Sequence, residues 1–281
     1  MKLGDLSTHD VLSVAPSDSI AHAAAMLEQH GIQHLPVVVG RQIVGIVSDR
    51  DIMIGCVDLT QANSAQEGSW ERSKVEDVMS APVHTLSPDD VLRAATWLMI
   101  HQRLHAIPLV HRDHLVGIVT ESDLLRGIAA APEISPNSLL KQPVAKFMHE
   151  NLTTVRSSTS LDDVVDLMQR ARIRHIPVAF GYELLGIVSD RDVRRALVSS
   201  GLRDAQAQEK GEFYLGPTQV HEVMTTDVRT ISSSATAEQA IAELLRHEIH
   251  CLPVVDARKL LGIITDTDLL RAIGAEEKEV S

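Results

Sequence analysis

The heptapeptide Gly-Ile-Val-Ser-Asp-Arg-Asp occurs at Gly45–Asp51 and again at Gly186–Asp192. Looser copies, Gly-Ile-Val-Thr-Glu-Ser-Asp and Gly-Ile-Ile-Thr-Asp-Thr-Asp, stand at Gly117–Asp123 and Gly262–Asp268. Each glycine follows by nine residues the proline of an apolar-Pro-apolar step (Pro36, Pro108, Pro177, Pro253), and successive glycines are 72, 69 and 76 residues apart. Self-similarity at a near-fixed period marks a repeated supersecondary unit. A unit this small buries too little surface to stand alone, so the 281 residues must fold as four units that fuse with one another.

The first copy can be read along its length. Val11–Val14 is a short apolar stretch that stops at Pro16-Ser17-Asp18, a turn and helix-start cluster. Ile20, Ala23, Ala24 and Leu27 then fall at helical spacing on one face, and Gly31 ends the helix. Leu35–Val39 and Ile43–Val47 are β-branched runs separated by Gly40-Arg41, a hairpin signal. A second helix follows Ser48, giving the order β-α-β-β-α. In the other copies the first-helix faces read Val91, Ala94, Ala95, Leu98; Leu161, Val164, Val165, Met168; and Ala237, Ala240, Ile241, Leu244. Their hairpins read Ile107–Val119, Ile176–Val188 and Leu252–Ile264, and their last helices are expected to start at Asp123, Asp192 and Asp268. Three copies open on an apolar-Met step: Val78-Met79, Phe147-Met148 and Val223-Met224.

The copies also group in twos. The first and third share Ser-Asp-Arg-Asp and lead into polar linkers expected at Asp58–Ser73 and Ser199–Thr218. The second and fourth share Asp-Leu-Leu-Arg, and a short link with two prolines, Ala129–Gln142, joins the halves. The chain therefore reads as a duplicated pair of units spanning 1–57 with 74–130, and 143–198 with 219–275.

Composition narrows the function classes. A net charge of −12 and only seven aromatic residues disfavour nucleic acid, which needs basic phosphate contacts and stacking platforms. Cys56 and Cys251 show no metal-like spacing and suit a reducing compartment. There is no apolar run long enough for a membrane span and no signal-peptide pattern, so a soluble, cytoplasmic protein is expected. The fourteen histidines include His30/His34 and His101/His105, but each second member falls past its helix end, so no dedicated metal is expected. No nucleophile–base arrangement stands out, and an enzyme is not expected.

With these motifs in place, the chain resembles the cystathionine-β-synthase (CBS) domain family in all four units. The resemblance rests on the β-α-β-β-α order, the Leu/Ile-Pro-Val/Leu step and the Gly-Ile-Val/Ile-Ser/Thr-x-x-Asp ending. It implies an α+β fold of two pseudo-twofold CBS pairs packed as a flat pseudo-fourfold disk, as a monomer or a homodimer. It also implies clefts for adenosine-containing ligands (AMP, ADP, ATP, S-adenosylmethionine or cyclic dinucleotides) and, in many relatives, regulation of a partner protein that this sequence does not identify. A magnesium ion could accompany ATP; no other cofactor is required. A ligand-independent scaffold for dimerisation or docking is the competing reading.

The candidate ligand residues are Ser48/Asp51, Thr120/Asp123, Ser189/Asp192 and Thr265/Asp268. A carboxylate in the first turn of a helix can accept from both ribose hydroxyls, and the helix start favours phosphate. The same spacing approximates a capping box that needs no ligand, and both readings stand at this point. Gly45, Gly117, Gly186 and Gly262 mark a bulge, a close approach or tight packing. Val37, Leu109, Val178 and Val254 would wall a purine. Arg50 and Arg191 are candidate phosphate groups, each serving its own cleft or the paired cleft that holds Asp123 or Asp268. The resemblance adds His34, His105, Arg174, His175 and His250, just before the proline steps, as phosphate contacts from the partner unit.

Overall fold

The computed structural model describes residues 1–62, 73–131, 137–198 and 218–276. Most of the two polar linkers, 63–72 and 199–217, and the centre of the proline-rich link, 132–136, lie outside the described residues.

Each unit is built on one antiparallel hairpin: β1 (His34–Val39) with β2 (Gln42–Ser48), β3 (Ala106–His111) with β4 (His114–Thr120), β5 (His175–Phe180) with β6 (Glu183–Ser189), and β7 (Cys251–Asp256) with β8 (Lys259–Thr265). Where the turn begins with Gly40 or Gly181, that glycine alone takes positive φ. The other two turns put both central residues, Arg112-Asp113 and Ala257-Arg258, at positive φ, as a type I′ hairpin turn requires.

The leading strand is reduced to one parallel bridge per unit: Val14–Val37, Leu86–Leu109, Val155–Val178 and Ile231–Val254. The proline explains this. Val14 donates to the Pro36 carbonyl and accepts from Val38, but Pro36 has no N–H to continue the ladder. On the other side the Ala15–Asp18 turn ends it, with Asp18 accepting from the Ala15 N–H.

The first helices are α1 (Ile20–His30), α3 (Leu92–Gln102), α6 (Leu161–Ala171) and α8 (Ala237–His247). Ser19, Ser160 and Thr236 cap three of them through side-chain oxygens, and Gly31 ends α1 at φ 65. In α1, α6 and α8 the expected faces are buried. In α3 the face is one residue later than expected: Leu92, Ala95, Thr96 and Met99 are buried, whereas Val91 is the extended N-cap and 51% exposed.

The second helices are α2 (Asp49–Ala62), which follows Ser48 as expected, and α4 (Glu121–Ala130), α7 (190–198) and α9 (Asp266–Glu276), which start two residues before the aspartates expected to begin them. Helix α2 also continues past Asp58, where a linker was expected. A short helix, α5 (Asn137–Leu140), precedes the third unit.

The units pair by exchange. After a 3₁₀ turn (Leu3–Asp5, Val75–Asp77, Val144–Lys146, Val220–Glu222), each leader bridges the hairpin of its partner unit. The bridges are Thr8–Ile118, Ser80–Ile46, His149–Ile263 and Thr225–Ile187. This accounts for the strand glycines. Each lies beside the register shift of its hairpin, and a Cβ there would strike the incoming leader. At Gly45 it would sit 2.4 Å from Met79 Sδ, at Gly186 2.8 Å from the Thr225 carbonyl, and at Gly262 2.7 Å from Met148 Sδ.

The two pairs close into a ring in the order 1–2–4–3, but the two seams between pairs differ. One continuous apolar core runs through units 2 and 4, joining Leu92, Leu124, Leu125 and Ile128 to Ile241, Leu269, Leu270 and Ile273. Units 1 and 3 keep separate cores, in contact through Met53 and Ile54 on one side and Leu197 and Val198 on the other.

Candidate functional site

At the start of every second helix the Ser/Thr and Asp form the same reciprocal cap. Asp51 Oδ2 accepts from Ser48 N at 2.8 Å and from Ser48 Oγ at 2.6 Å, while Asp51 N donates to Ser48 Oγ at 3.3 Å. Thr120/Asp123, Ser189/Asp192 and Thr265/Asp268 repeat the arrangement, always through Oδ2. The capping reading therefore holds at all four positions. It occupies one carboxylate oxygen and leaves the other.

The four second oxygens are not equivalent. Among the described residues, Oδ1 of Asp51 and Asp192 has no hydrogen-bond partner. Oδ1 of Asp123 accepts from the exposed Arg126 at 2.7 Å. Oδ1 of Asp268 accepts from His149 at 2.8 Å and Arg271 at 3.2 Å, and Asp268 is buried. Burial pushes the Asp51 carboxyl up from its ordinary range, against the hydrogen bonds from Ser48 and the charges of Arg174 and Arg50.

A second constellation lies where the four units meet. The first residue of each second helix is a buried acid: Asp49, Glu121, Asp190 and Asp266. Each donates its backbone N–H to the carbonyl sixteen residues earlier, on Gln33, His105, Arg174 or His250. Three of those residues also pair with the acid: His105 Nδ1 with Glu121 at 2.7 Å, Arg174 with Asp190 at 2.8 Å, and His250 Nδ1 with Asp266 at 2.9 Å. Gln33 carries no charge, and Asp49 is instead met from unit 3 by Arg194 at 2.6 Å and Arg191 at 3.4 Å. Across the other seam, Thr267 donates to Glu121 and Ser122 to Asp266.

Charge and burial set the protonation of this cluster. Burial would raise Glu121 and Asp190, but His105 and Arg174 respectively hold both below the usual carboxylate range. Burial raises Asp49 and Asp266. His34 and His175 are deprived of solvent beside Arg174 and the other central histidines, so both titrate well below an ordinary histidine, His175 at about 3.

The structure brings His34, His105, Arg174, His175 and His250 together at the ring centre. The side chains of Arg50 and Arg191 both cross to the other pair. Arg50 donates to the Met168 and Ile173 carbonyls at the C-terminus of α6 (2.8 and 3.4 Å), and Arg191 to the Gly31 carbonyl at the C-terminus of α1 (3.1 Å). A cation at the carbonyl end of a helix is favoured by the helix dipole. Val37, Leu109, Val178 and Val254, expected to wall a purine, are all fully buried. The four helix-leading acids and Arg194 were missed. Their signal was present in the repeat itself, as an acid directly after every Ser/Thr of the motif. Among the described residues, no group of three or more His, Cys, Asp or Glu side chains could hold a metal ion, and no helix is long and apolar enough to cross a membrane.

Comparison with known proteins agrees with this architecture. The CBS domain signature matches residues 3–57, 75–130, 144–199 and 220–275. The chain belongs to the CBS domain family. It is 25% identical over 98% of its length to the uncharacterized protein MJ1404 of Methanocaldococcus jannaschii, and spans 62% of that relative. It is 34% identical over 41% of its length to the inosine-5'-monophosphate dehydrogenase of Korarchaeum cryptofilum, covering only 22% of that enzyme. The crystal structure of MJ1225 from M. jannaschii, a proposed archaeal homolog of g-AMPK, shares the fold with a TM-score of 0.83. That likeness is at 21% identity and covers 96% of this chain and 99% of that one.

Proposed function

We propose that this protein is a non-catalytic sensor of adenosine-containing nucleotides. The ribose hydroxyls would donate to the free Oδ1 atoms of Asp51 and Asp192, and the phosphates would lie toward the ring centre, near Arg174, His34 and His175. AMP, ADP and ATP are the ligands this reading favours. The observation that carries it is the division of labour within each carboxylate: Oδ2 is spent on the helix cap, while Oδ1 of Asp51 and Asp192 stays available. Asp123, held by one exposed arginine that a ligand could displace, is a weaker third position. Arg50 and Arg191 flank the two open aspartates and hold the seam between units 1 and 3, so a phosphate that draws either arginine off its carbonyls would loosen that seam. A ligand shifts such an equilibrium only by its differential affinity for the two arrangements.

Calorimetric titration of nucleotide-stripped protein with AMP, ADP, ATP, S-adenosylmethionine and cyclic di-AMP tests this. Saturable binding of an adenine nucleotide, abolished in the Asp51→Ala/Asp192→Ala double variant, is the expected result. Silence across the panel would leave four helix caps and return the protein to the class of ligand-independent scaffolds.

A further inference from the structure

The four leaders place one residue each over the partner unit's hairpin: Thr8, Ser80, His149 and Thr225. Three are small hydroxyl residues, and one is an imidazole. His149 alone reaches the cap aspartate of the unit it crosses, with Nε2 2.8 Å from Asp268 Oδ1. Among the described residues, each of the other three aspartates has at most an arginine from its own helix on that oxygen. In unit 3 even that arginine is absent, because Arg195 is drawn away to Glu28 at 2.7 Å.

We propose that His149 is a built-in occupant of the fourth cleft, standing where a ribose hydroxyl would stand and keeping nucleotide out of it. This rests on the reading of Asp51 and Asp192 as ribose acceptors. The imidazole N–H offers Asp268 the donor that a ribose hydroxyl would offer, and tethering through the chain removes the entropy a free ligand would lose on binding. Arg271 satisfies the same oxygen from the other side at 3.2 Å, and together they leave the Asp268 carboxylate 4% exposed. Nucleotide can reach Asp268 Oδ1 only by moving the His149 side chain, which is 61% exposed but stands on a backbone fixed by its bridge to Ile263. His149 therefore decides how many ligands the ring takes, although the fourth Thr-x-x-Asp motif is intact.

The test is calorimetric titration of AMP into the stripped wild-type chain, His149→Thr, His149→Ala, Asp268→Ala and His149→Thr/Asp268→Ala. Threonine is the residue already tolerated at this position in units 1 and 4, so His149→Thr should fold, and circular dichroism checks that it does. The expected result is one more AMP per chain in His149→Thr and His149→Ala than in wild type, with the added site lost in the double variant. An unchanged stoichiometry in both folded single variants overturns the proposal while leaving the sensor reading intact. A drop in wild-type stoichiometry on Asp268→Ala also overturns it, because the cleft would then be open already. Absence of AMP binding in every protein overturns the sensor reading and this one together.

Discussion

Replacing Asp51 by alanine removes two things at once, the acceptor for Ser48 and the oxygen offered to a ligand, whereas asparagine separates them. An asparagine can keep its carbonyl oxygen on the cap while its amide faces the cleft as a donor where ribose needs an acceptor. Urea denaturation should show Asp51→Ala losing about 1 kcal/mol, the usual worth of a cap, and Asp51→Asn less. Both variants should weaken nucleotide binding by roughly 10- to 100-fold, the worth of a hydrogen bond to a charged group. If binding instead tracks stability across the two variants, the carboxylate is only a cap. The central histidines make a separate prediction about pH. His175, and likewise His34, is held neutral by burial beside Arg174, His105 and His250, with Asp190 opposing only in part. A histidine with its folded pKa below its unfolded value binds protons in the unfolded chain first. Stability must therefore fall as pH drops below about 6.5, by up to about 1.4 kcal/mol per pH unit for each group. His175→Ala, the residue unit 2 carries at this position, should flatten that loss between pH 7 and pH 5 in urea melts. An unchanged acid limb would mean that His175 is solvated and free to titrate.

At the scale of elements, the hairpins, the first helices and the caps were legible because each is specified by its own stretch of sequence. What periodicity could not supply was a decision between two adjacent apolar residues. Val91-Leu92 and Leu98-Met99 support two helical faces equally well, and the extended backbone of Val91 selects Leu92 and Met99. Leu92→Ala should therefore cost about 2–5 kcal/mol and Val91→Ala almost nothing by chemical denaturation. The reverse order would restore the face expected from sequence. The starts of α4, α7 and α9 were misjudged by two residues because the motif aspartate is the third helical residue and the Ser/Thr before it is the cap. The exchanged leaders were not legible at all: an apolar-Met step reports that a segment is buried, not whose hairpin it crosses. Their effect is visible only as a geometric demand on Gly45, Gly117, Gly186 and Gly262. Gly186→Ala should be the more damaging of the tight pair, since its Cβ meets a backbone carbonyl, whereas that of Gly45 meets the movable tip of Met79.

The ring as a whole is closed by two unlike seams, and this difference follows from single positions in the repeat. Leu125 and Leu270 join one core across units 2 and 4. At the equivalent position, units 1 and 3 carry Met53 and Arg194. Arg194 is 2% exposed and pairs with the fully buried Asp49, which lacks a charged partner in its own unit because Gln33 stands where the others have His105, Arg174 or His250. One buried guanidinium thus bridges two acids, Asp49 and Glu28, of which the half-exposed Glu28 also holds Arg195. Breaking such a pair from one side leaves a buried charge, at a cost of about 3–5 kcal/mol, reduced here because Arg191 remains within 3.4 Å of Asp49. Arg194→Leu should therefore lower the stability of units 1 and 3 while leaving the continuous 2–4 core intact. The expected signature is a thermal or urea transition that splits in two, with hydrogen exchange rising first in α2 and α7 and not in α4 or α9. A single cooperative shift of the whole transition would mean that the seams are coupled as one unit. Adding Asp49→Asn to Arg194→Leu removes the stranded charge and should recover part of the loss. Because Asp51 and Asp192 open beside this ionic seam, nucleotide that binds there should raise the lower of the two transitions and leave the upper one unmoved.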